Sequence, residues 1–173
     1  MSMPGLPQRG HDFVEQERLI ILVDISSATR AMSGMTDLDV AHWLDRYYHL
    51  CDRHLGGTGE IIKYMGDACL VLFPPDALAA AIDCLFALHG AFVADRLAPM
   101  TDLGVNAHIG NVVVGAFGPQ ARRDVIGSAV NTTFKLGGGA GMRITERVYR
   151  RMPEAMRARW QKFKPPTTYR LDW

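Results

Sequence analysis

A run of five apolar residues ending in a carboxylate sets the strongest constraint on the fold. Residues 19–23 carry only aliphatic side chains, and Asp24 follows them directly. A run without polar alternation is typical of a strand that is covered on both faces. The chain has 173 residues, of which 48% are hydrophobic, which is enough for one domain with one buried core.

Two helices are predicted from periodicity. Residues 36–55 have apolar side chains three and four positions apart, with a Thr36 and Asp39 capping box at the start and Gly56 and Gly57 at the end. The predicted buried stripe comprises Ala41, Leu44, Tyr48, Cys51 and Leu55. A second, alanine-rich helix is predicted after Pro74 and Pro75.

Segments with sequence patterns typical of β-strands lie between and after these helices. Glu60–Met65 and Ala68–Phe73 flank Gly66-Asp67, which predicts a hairpin. Residues 103–109 and 112–114 flank Gly110-Asn111, which predicts a second hairpin. A short helix from about Gly127, a strand near Arg143, a helix from Thr145 and a final extended pair follow. This order predicts an α+β fold with a largely antiparallel sheet.

The chain termini and the cysteines indicate the compartment. Residues 1–17 are predicted to be a flexible leader and residues 18–173 the folded domain. Neither a signal peptide nor an uninterrupted apolar run near 18 residues is found, and the three cysteines form no CxxC pair. We therefore expect a cytoplasmic protein without a membrane partner.

Charge is distributed unevenly along the chain. Residues 1–121 contain 7 Lys or Arg and 14 Asp or Glu, a net charge of −7, whereas residues 122–173 contain 12 and 4, a net charge of +8. A basic segment is one requirement for nucleic-acid binding, but it lacks interleaved aromatic residues and any helix-turn-helix or zinc-finger spacing. A solvated helical face is favoured over a nucleic-acid site.

Two carboxylates are placed where metal chemistry could occur. Asp24 ends the apolar strand and Asp67 lies in the predicted hairpin turn. If the two strands are neighbours, both carboxylates could bind a pair of hard cations such as Mg2+ or Mn2+ and support phosphoryl chemistry. The alternative is structural, because Asp is common in turns and at helix starts.

A third polar segment spans residues 123–131. If a helix begins near Gly127, Asn131 and Lys135 share one face at i,i+4 spacing. An amide and an ammonium group so placed could bind a sugar and a phosphate. An exposed polar helix face is the simpler interpretation of this segment alone.

Taken together, these segments resemble the catalytic domain of the class III adenylate and guanylate cyclases. Residues 22–26 resemble the first metal motif of that family, residues 59–67 the second, and residues 124–131 the segment that contacts the transition state. Residues 106–115 resemble the strand that carries the HxG-type turn.

The resemblance implies a ferredoxin-like βαββαβ core with C-terminal additions. It also implies that a nucleoside triphosphate is converted to its 3′,5′-cyclic monophosphate and pyrophosphate by two divalent cations, Mg2+ or Mn2+, at sites shared across a homodimer interface. Asp24, Asp67 and the carbonyl of Ile25 would hold the ions. The backbone amides of Ser26, Ser27, Ala28 and Thr29 would face the triphosphate.

The resemblance assigns the other half of each site to the partner chain. Lys63 and Asp124 would contact the base, which favours ATP because guanylate-specific members usually have residues such as Glu and Cys there. Asn131 would orient the ribose, and Lys135 would stabilise charge on the transferred phosphoryl group. Lys162 or Lys164 could also meet the triphosphate.

Two departures from the family pattern leave an alternative. Lys135 replaces the usual Arg and loses its planar fork, and Ser27-Ala28 replaces the usual Gly-Phe. The alternative is therefore a catalytically degraded cyclase homology domain that binds nucleotide or a protein partner. A cyclase acting on GTP or a pyrimidine nucleotide, and a nucleic-acid-binding module, are further alternatives.

Overall fold

The computed structural model of the chain describes residues 13–95, 100–163 and 167–173. Its strands are β1 (Val14–Ser26), β2 (Glu60–Met65), β3 (Ala68–Phe73), β4 (Asp102–Phe117), β5 (Arg122–Ile126), β6 (Gly141–Thr145), β7 (Gln161–Lys162) and β8 (Thr168–Leu171). Its helices are α1 (Ala28–Met32), α2 (Asp37–Leu55), α3 (Leu78–Asp95), α4 (Ser128–Phe134), α5 (Glu146–Arg151) and α6 (Glu154–Arg157), with a 3-10 turn at Pro75–Ala77.

The strands form one mixed sheet in the order β2-β3-β1-β4-β6-β8-β7, with β5 paired to β4. The four strands β2, β3, β1 and β4 are antiparallel neighbours, and α2 and α3 make the two connections between them. Among the strands that the structure describes, β4 and β6 form the one parallel pair. This arrangement confirms the predicted α+β fold with a ferredoxin-like core.

Apolar side chains pack on both faces of the sheet. The larger cluster unites one face of β1, β3 and β4 with α2 and α3, and it includes Tyr47, Phe73 and Leu88. A smaller cluster on the opposite face contains Ile20, Leu70 and Ala129. The prediction that the apolar run of β1 is covered on both faces is therefore confirmed.

β4 is one continuous strand, so the predicted hairpin at Gly110-Asn111 is wrong. Both halves of β4 continue the same antiparallel ladder with β1, in which Gly110 lies opposite Arg18 and Asn111 opposite Glu17. The other edge of β4 pairs first with β6 and then with β5. A turn at residues 110–111 would break all of these pairings.

Gly110 is needed for helix packing instead of for a turn. A Cβ atom at this position would lie 2.6 Å from the Cβ of Ala129 and 3.2 Å from Nε2 of His108. The missing side chain therefore allows α4 to lie directly on the sheet.

α2 begins as predicted but buries a different face. The side chain of Thr36 accepts a hydrogen bond from the backbone N–H of Asp39, and the Asp39 carboxylate accepts one from the backbone N–H of Thr36. The buried residues are Trp43, Tyr47, Leu50, Cys51 and Leu55. The predicted stripe is thus partly wrong, because the larger aromatic side chains take the inward positions and leave Ala41 exposed.

β1 begins earlier than the sequence indicated. Val14 is already paired with Val114, so residues 14–17 are part of the sheet and not of a leader. The pairing with β4 supplies hydrogen-bond partners that the local sequence does not reveal.

α3 and the turn before it are strongly apolar. Among the described residues, Pro75–Asp95 form the segment whose length and composition would suffice to cross a membrane. This is weak evidence, because core helices pass the same test, and α3 buries Leu78, Leu85 and Phe92 among its core residues.

A comparison of two glycine substitutions tests the packing of α4. Gly110→Ala should lower the free energy of unfolding by about 1–3 kcal/mol, because the added methyl group overlaps Ala129. Gly90→Ala, in the open interior of α3, should raise it by about 0.5–1 kcal/mol. Urea unfolding monitored by circular dichroism measures both, and a neutral Gly110→Ala variant would contradict the close packing.

Candidate active site

Asp24 and Asp67 meet at one end of the sheet. Asp24 lies two residues before the end of β1, opposite Ala68, the first residue of β3. Asp67 lies in the turn between β2 and β3, where Gly66 has a φ of +64°. The backbone N–H of Ile25 donates a hydrogen bond of 3.1 Å to the carbonyl of Asp67. The antiparallel pairing of β1 with β3 thus brings the two carboxylates together, as the sequence predicted.

The Asp24 carboxylate is in an unfavourable electrostatic environment. Burial, together with the negative charge of Asp67, raises the pKa of Asp24 from 3.8 to about 6. The positive charge of Arg143 and the nearby backbone N–H of Gly104, which does not reach the geometry of a hydrogen bond, act in the opposite direction. The Asp24 Oδ1 atom is buried and has no hydrogen-bond partner among the described residues.

These properties fit a cation site. A buried carboxylate oxygen without a donor, next to a second carboxylate, is stabilised by a hard cation. The structure describes no group of three or more His, Cys, Asp and Glu side chains arranged for a metal ion. The available donors are two carboxylates and backbone carbonyls such as that of Ile25, which is the donor set that Mg2+ accepts together with water and phosphate oxygens.

The segment from Ser26 to Thr29 joins β1 to α1. Ser27 has a φ of 66°, a left-handed conformation that is costly for a residue with a side chain, and its hydroxyl does not cap α1. A cavity of about 220 Å³ is lined by Ser27, Arg30, Ala31 and Met100. This turn therefore lies at the same end of the sheet as Asp24 and borders an open space.

Lys63 and Asp124 form an ion pair between β2 and β5. The Lys63 Nζ atom lies 2.8 Å and 2.9 Å from the two carboxylate oxygens of Asp124, and both side chains are about one-third exposed. Although burial opposes it, the hydrogen bonds from Lys63 and from the backbone N–H of Val125 lower the pKa of Asp124. The structure thus pairs the two residues that, according to the family resemblance, would contact the base.

Asn131 and Lys135 lie on the exposed side of α4. The backbone N–H of Lys135 donates to the carbonyl of Asn131, which confirms their i,i+4 relation at the end of the helix. Both side chains are exposed, and neither has a hydrogen bond or ion pair to Asp24 or Asp67 within the described parts of the chain. In one protomer, no polar contact therefore joins these two residues to the two carboxylates within the described residues.

Lys162 forms part of β7 and is exposed, whereas Lys164 lies outside the described residues. β7 pairs with β8 at the margin of the sheet, beyond β6. Within the described residues, Lys162 forms no hydrogen bond or ion pair with Asp24 or Asp67.

Two buried polar residues near Asp24 were not anticipated from the sequence. Asn106 on β4 and Arg143 on β6 are 4% and 6% exposed, and they are paired across the parallel strands. Their side chains donate hydrogen bonds to the backbone between α4 and β6. An asparagine between Val105 and Ala107, and an arginine between Met142 and Ile144, were the available sequence signals.

Part of the charge asymmetry is neutralised within the chain. Arg123 pairs with Glu60, and both Arg147 and Arg151 pair with Glu17. Each of these ion pairs joins the basic C-terminal segment to the acidic N-terminal part. Three arginines of the basic segment therefore have acidic partners within the same chain.

Two curated proteins resemble this chain in sequence. Adenylate cyclase 2 of Rhizobium meliloti is 29% identical over 136 residues, which cover 72% of this chain and 38% of that protein. Adenylate cyclase of Anabaena cylindrica is 29% identical over 166 residues, covering 81% of this chain and 32% of that protein. The chain spans about a third of the length of these relatives. No protein-family model matches it.

Solved cyclase structures share the fold. A bacterial light-regulated adenylyl cyclase superimposes with a TM-score of 0.77 at 19% identity, over 91% of this chain and 52% of that chain. The guanylyl cyclase Cya2 superimposes with a TM-score of 0.68 at 20% identity, over 91% of each chain. The predicted resemblance to class III cyclase catalytic domains is thereby confirmed, and the fold is common to adenylyl and guanylyl members.

The burial of Asp24 predicts a specific dependence of stability on pH. Because the folded pKa of about 6 exceeds the ordinary value of 3.8, the contribution of Asp24 is fully present below about pH 4 and is lost as the pH rises through 6. At pH 7.5 in EDTA, Asp24→Asn should raise the free energy of unfolding by about 2 kcal/mol, after allowance for partial exposure. This gain should shrink at pH 4.5.

Urea unfolding at the two pH values measures this effect. Asp83→Asn, on the exposed side of α3, is the matched control and should change stability by less than about 0.5 kcal/mol at both pH values. An Asp24→Asn variant that is less stable than the wild type at pH 7.5 would contradict the prediction.

Proposed function

We propose that this domain is a nucleotidyl cyclase that converts ATP to 3′,5′-cyclic AMP and pyrophosphate as a homodimer. The observation that carries the proposal is the buried, unpartnered Asp24 oxygen beside Asp67, in a fold shared with cyclase catalytic domains. In the reaction, the ribose 3′-oxygen forms a bond to the α-phosphorus, the bond from that phosphorus to the pyrophosphate oxygen breaks, and the hydroxyl proton is released to water.

The metal half of the site consists of Asp24, Asp67 and the carbonyl of Ile25. Two Mg2+ or Mn2+ ions would supply Lewis-acid chemistry there, favouring ionisation of the 3′-hydroxyl and neutralising phosphate charge. The turn from Ser26 to Thr29 binds the triphosphate through backbone N–H groups. Its backbone amides are suited to this role whatever the side chains, so the Ser27-Ala28 departure does not remove them.

The base half of the site consists of Lys63 and Asp124. The Lys63 ammonium donates to an adenine ring nitrogen, and the Asp124 carboxylate accepts from the exocyclic amine. In the protein without nucleotide the two groups satisfy one another at 2.8 Å. Their mutual ion pair holds both side chains in place, and it opens when the base enters.

Asn131 and Lys135 complete the catalytic residues. The Asn131 amide orients the ribose so that the 3′-hydroxyl faces the α-phosphorus. The Lys135 ammonium stabilises the negative charge that develops on the phosphoryl oxygens. Because Lys135 is a point charge without the fork of arginine, we expect slower turnover than an arginine would support.

The separation of the two residue sets supports the homodimer. Within the described residues of one protomer, Asp24 and Asp67 form no hydrogen bond or ion pair with Asn131 or Lys135, although the proposed reaction needs all four at one nucleotide. In a symmetric dimer, each protomer supplies the metal half of one site and the base half of the other. Exposed Ile126 and Phe134, beside and on α4, provide apolar surface for this interface.

The activity can be tested by incubating the purified protein with each of the four nucleoside triphosphates and Mn2+. We expect cyclic AMP as the main product, with a loss of at least about 100-fold in kcat for Asp67→Ala and Asn131→Ala. Calorimetric titration with Mn2+ should show binding to the wild type and none to Asp24→Ala. Glu154→Ala, on exposed α6, is the control.

Nucleotide binding without any cyclic product would favour the degraded homology domain. Cyclic GMP or a cyclic pyrimidine nucleotide as the main product would overturn the assignment of Lys63 and Asp124 to adenine. Binding to DNA that weakens steeply with salt would favour the nucleic-acid alternative.

The shared site predicts complementation between two inactive variants. Asp24→Ala alone and Lys135→Ala alone should each reduce activity by at least about 100-fold. A mixture in which the subunits exchange should regain activity, because each mixed dimer has one intact site. With random pairing, half of the dimers are mixed, so we expect about one-quarter of the wild-type rate. No recovery with demonstrated subunit exchange would contradict the shared site.

A further inference from the structure

The segment between α4 and β6 is attached to the sheet through its backbone carbonyls. Gly137, Gly139 and Gly141 have φ values of 116°, 96° and 87°, which favour glycine. The Asn106 Nδ2 atom donates to the carbonyl of Gly137 at 2.8 Å. The Arg143 guanidinium donates from Nη1 to Gly139 at 2.8 Å and from Nη2 to Ala140 at 3.3 Å.

This attachment is buried and close to Asp24. Asn106 and Arg143 are nine-tenths or more buried. Gly104 makes room for it, because a Cβ there would lie 2.1 Å from Asp24 Oδ1 and 2.7 Å from the carbonyl of Gly139. The backbone of the glycine segment and the metal-binding carboxylate therefore share one small space at the surface of the sheet.

The same segment continues directly from the residue assigned to the transition state. Lys135 is the C-terminal cap of α4 and precedes Gly137 by two positions. α4 itself has only seven residues, and a single backbone hydrogen bond, from Leu136 to Thr133, follows Lys135 before the glycine segment. The position of Lys135 thus depends on how the glycine segment is held.

We propose that Arg143 and Asn106 form a clamp on residues 137–140 and are positioning residues for Lys135. The inference rests on the proposed cyclase function, since it concerns the residue that acts on the transferred phosphoryl group. In the dimer, the clamp lies beside the metal half of one site but acts on the base half of the other. Two coplanar N–H groups on one guanidinium hold two successive carbonyls in a fixed geometry, whereas the donors of an ammonium group rotate at the end of a flexible stem.

The clamp can be tested without any enzymatic assay. In the purified protein, Arg143→Met and Asn106→Ser should each accelerate hydrogen exchange at the amides of residues 136–140 by about ten-fold or more. Arg143→Lys should also accelerate it, because it retains the charge but not the fork. Arg150→Met, which removes an exposed arginine paired with Glu146, is the control and should leave these amides unchanged. Unchanged exchange in both clamp variants would overturn the clamp.

The effect on catalysis is measured in the complementing pair of variants. Arg143→Met placed in the Asp24→Ala chain, which supplies Lys135 to the intact site, should lower kcat by about ten-fold and change the KM for ATP less than about two-fold. Placed in the Lys135→Ala chain, it should lower kcat less than about three-fold. Asn106→Ser should follow the same order, and it tests the proposal if Arg143→Met does not fold.

The outcomes separate this proposal from the proposed function. An equal or larger effect in the chain that supplies Asp24, or a raised KM with unchanged kcat, would overturn the positioning of Lys135. A complementing pair that yields no cyclic product, together with accelerated exchange, would leave the clamp established and overturn the cyclase function with the catalytic role of Lys135.

Discussion

The antiparallel ladder between β1 and β4 is the constraint on which the rest of the structure depends. It runs through 13 residue pairs, from Val14 opposite Val114 to Ser26 opposite Asp102. Because the other edge of β4 pairs with both β5 and β6, this one strand positions the segments on either side of α4. The ladder also fixes the position of Asp24 near the end of β1, where the turn before β3 brings Asp67 beside it. The same backbone pairing therefore positions both halves of the proposed site.

Around this ladder, polar groups are buried where they weaken the fold. Asp24 has an oxygen without a donor and a neighbouring like charge, and Ser27 adopts a left-handed conformation. Such costs are tolerated when the surrounding core holds the groups in place, and they are typical of binding and catalytic sites. The apolar layers on both faces of the sheet supply that support. Arg143 offsets part of the charge on Asp24 while its guanidinium is held by loop carbonyls.

Local patterns predicted the elements whose interactions are themselves local. The capping box of α2 joins residues three apart, and the β2–β3 hairpin is formed around a two-residue turn, so both were visible in the sequence. Gly110 shows the opposite case. A glycine before an asparagine between two apolar runs favours a turn, but the pairing with Arg18 and the contact with Ala129 are distant in sequence and keep the strand straight. The start of β1 was missed for the same reason.

The candidate site shows the same difference between features that depend on local sequence and features that depend on long-range contacts. From the sequence alone came the motifs with Asp24, Asp67, Lys63, Asp124, Asn131 and Lys135, because their order and spacing as a set resemble those of class III cyclase catalytic domains, whereas each short segment alone also allows a structural interpretation. The tertiary structure alone decided that Lys63 and Asp124 pair across 61 residues and that Asn106 and Arg143 are buried near Asp24. These are consequences of strand order and register, which bring together residues that no local pattern connects.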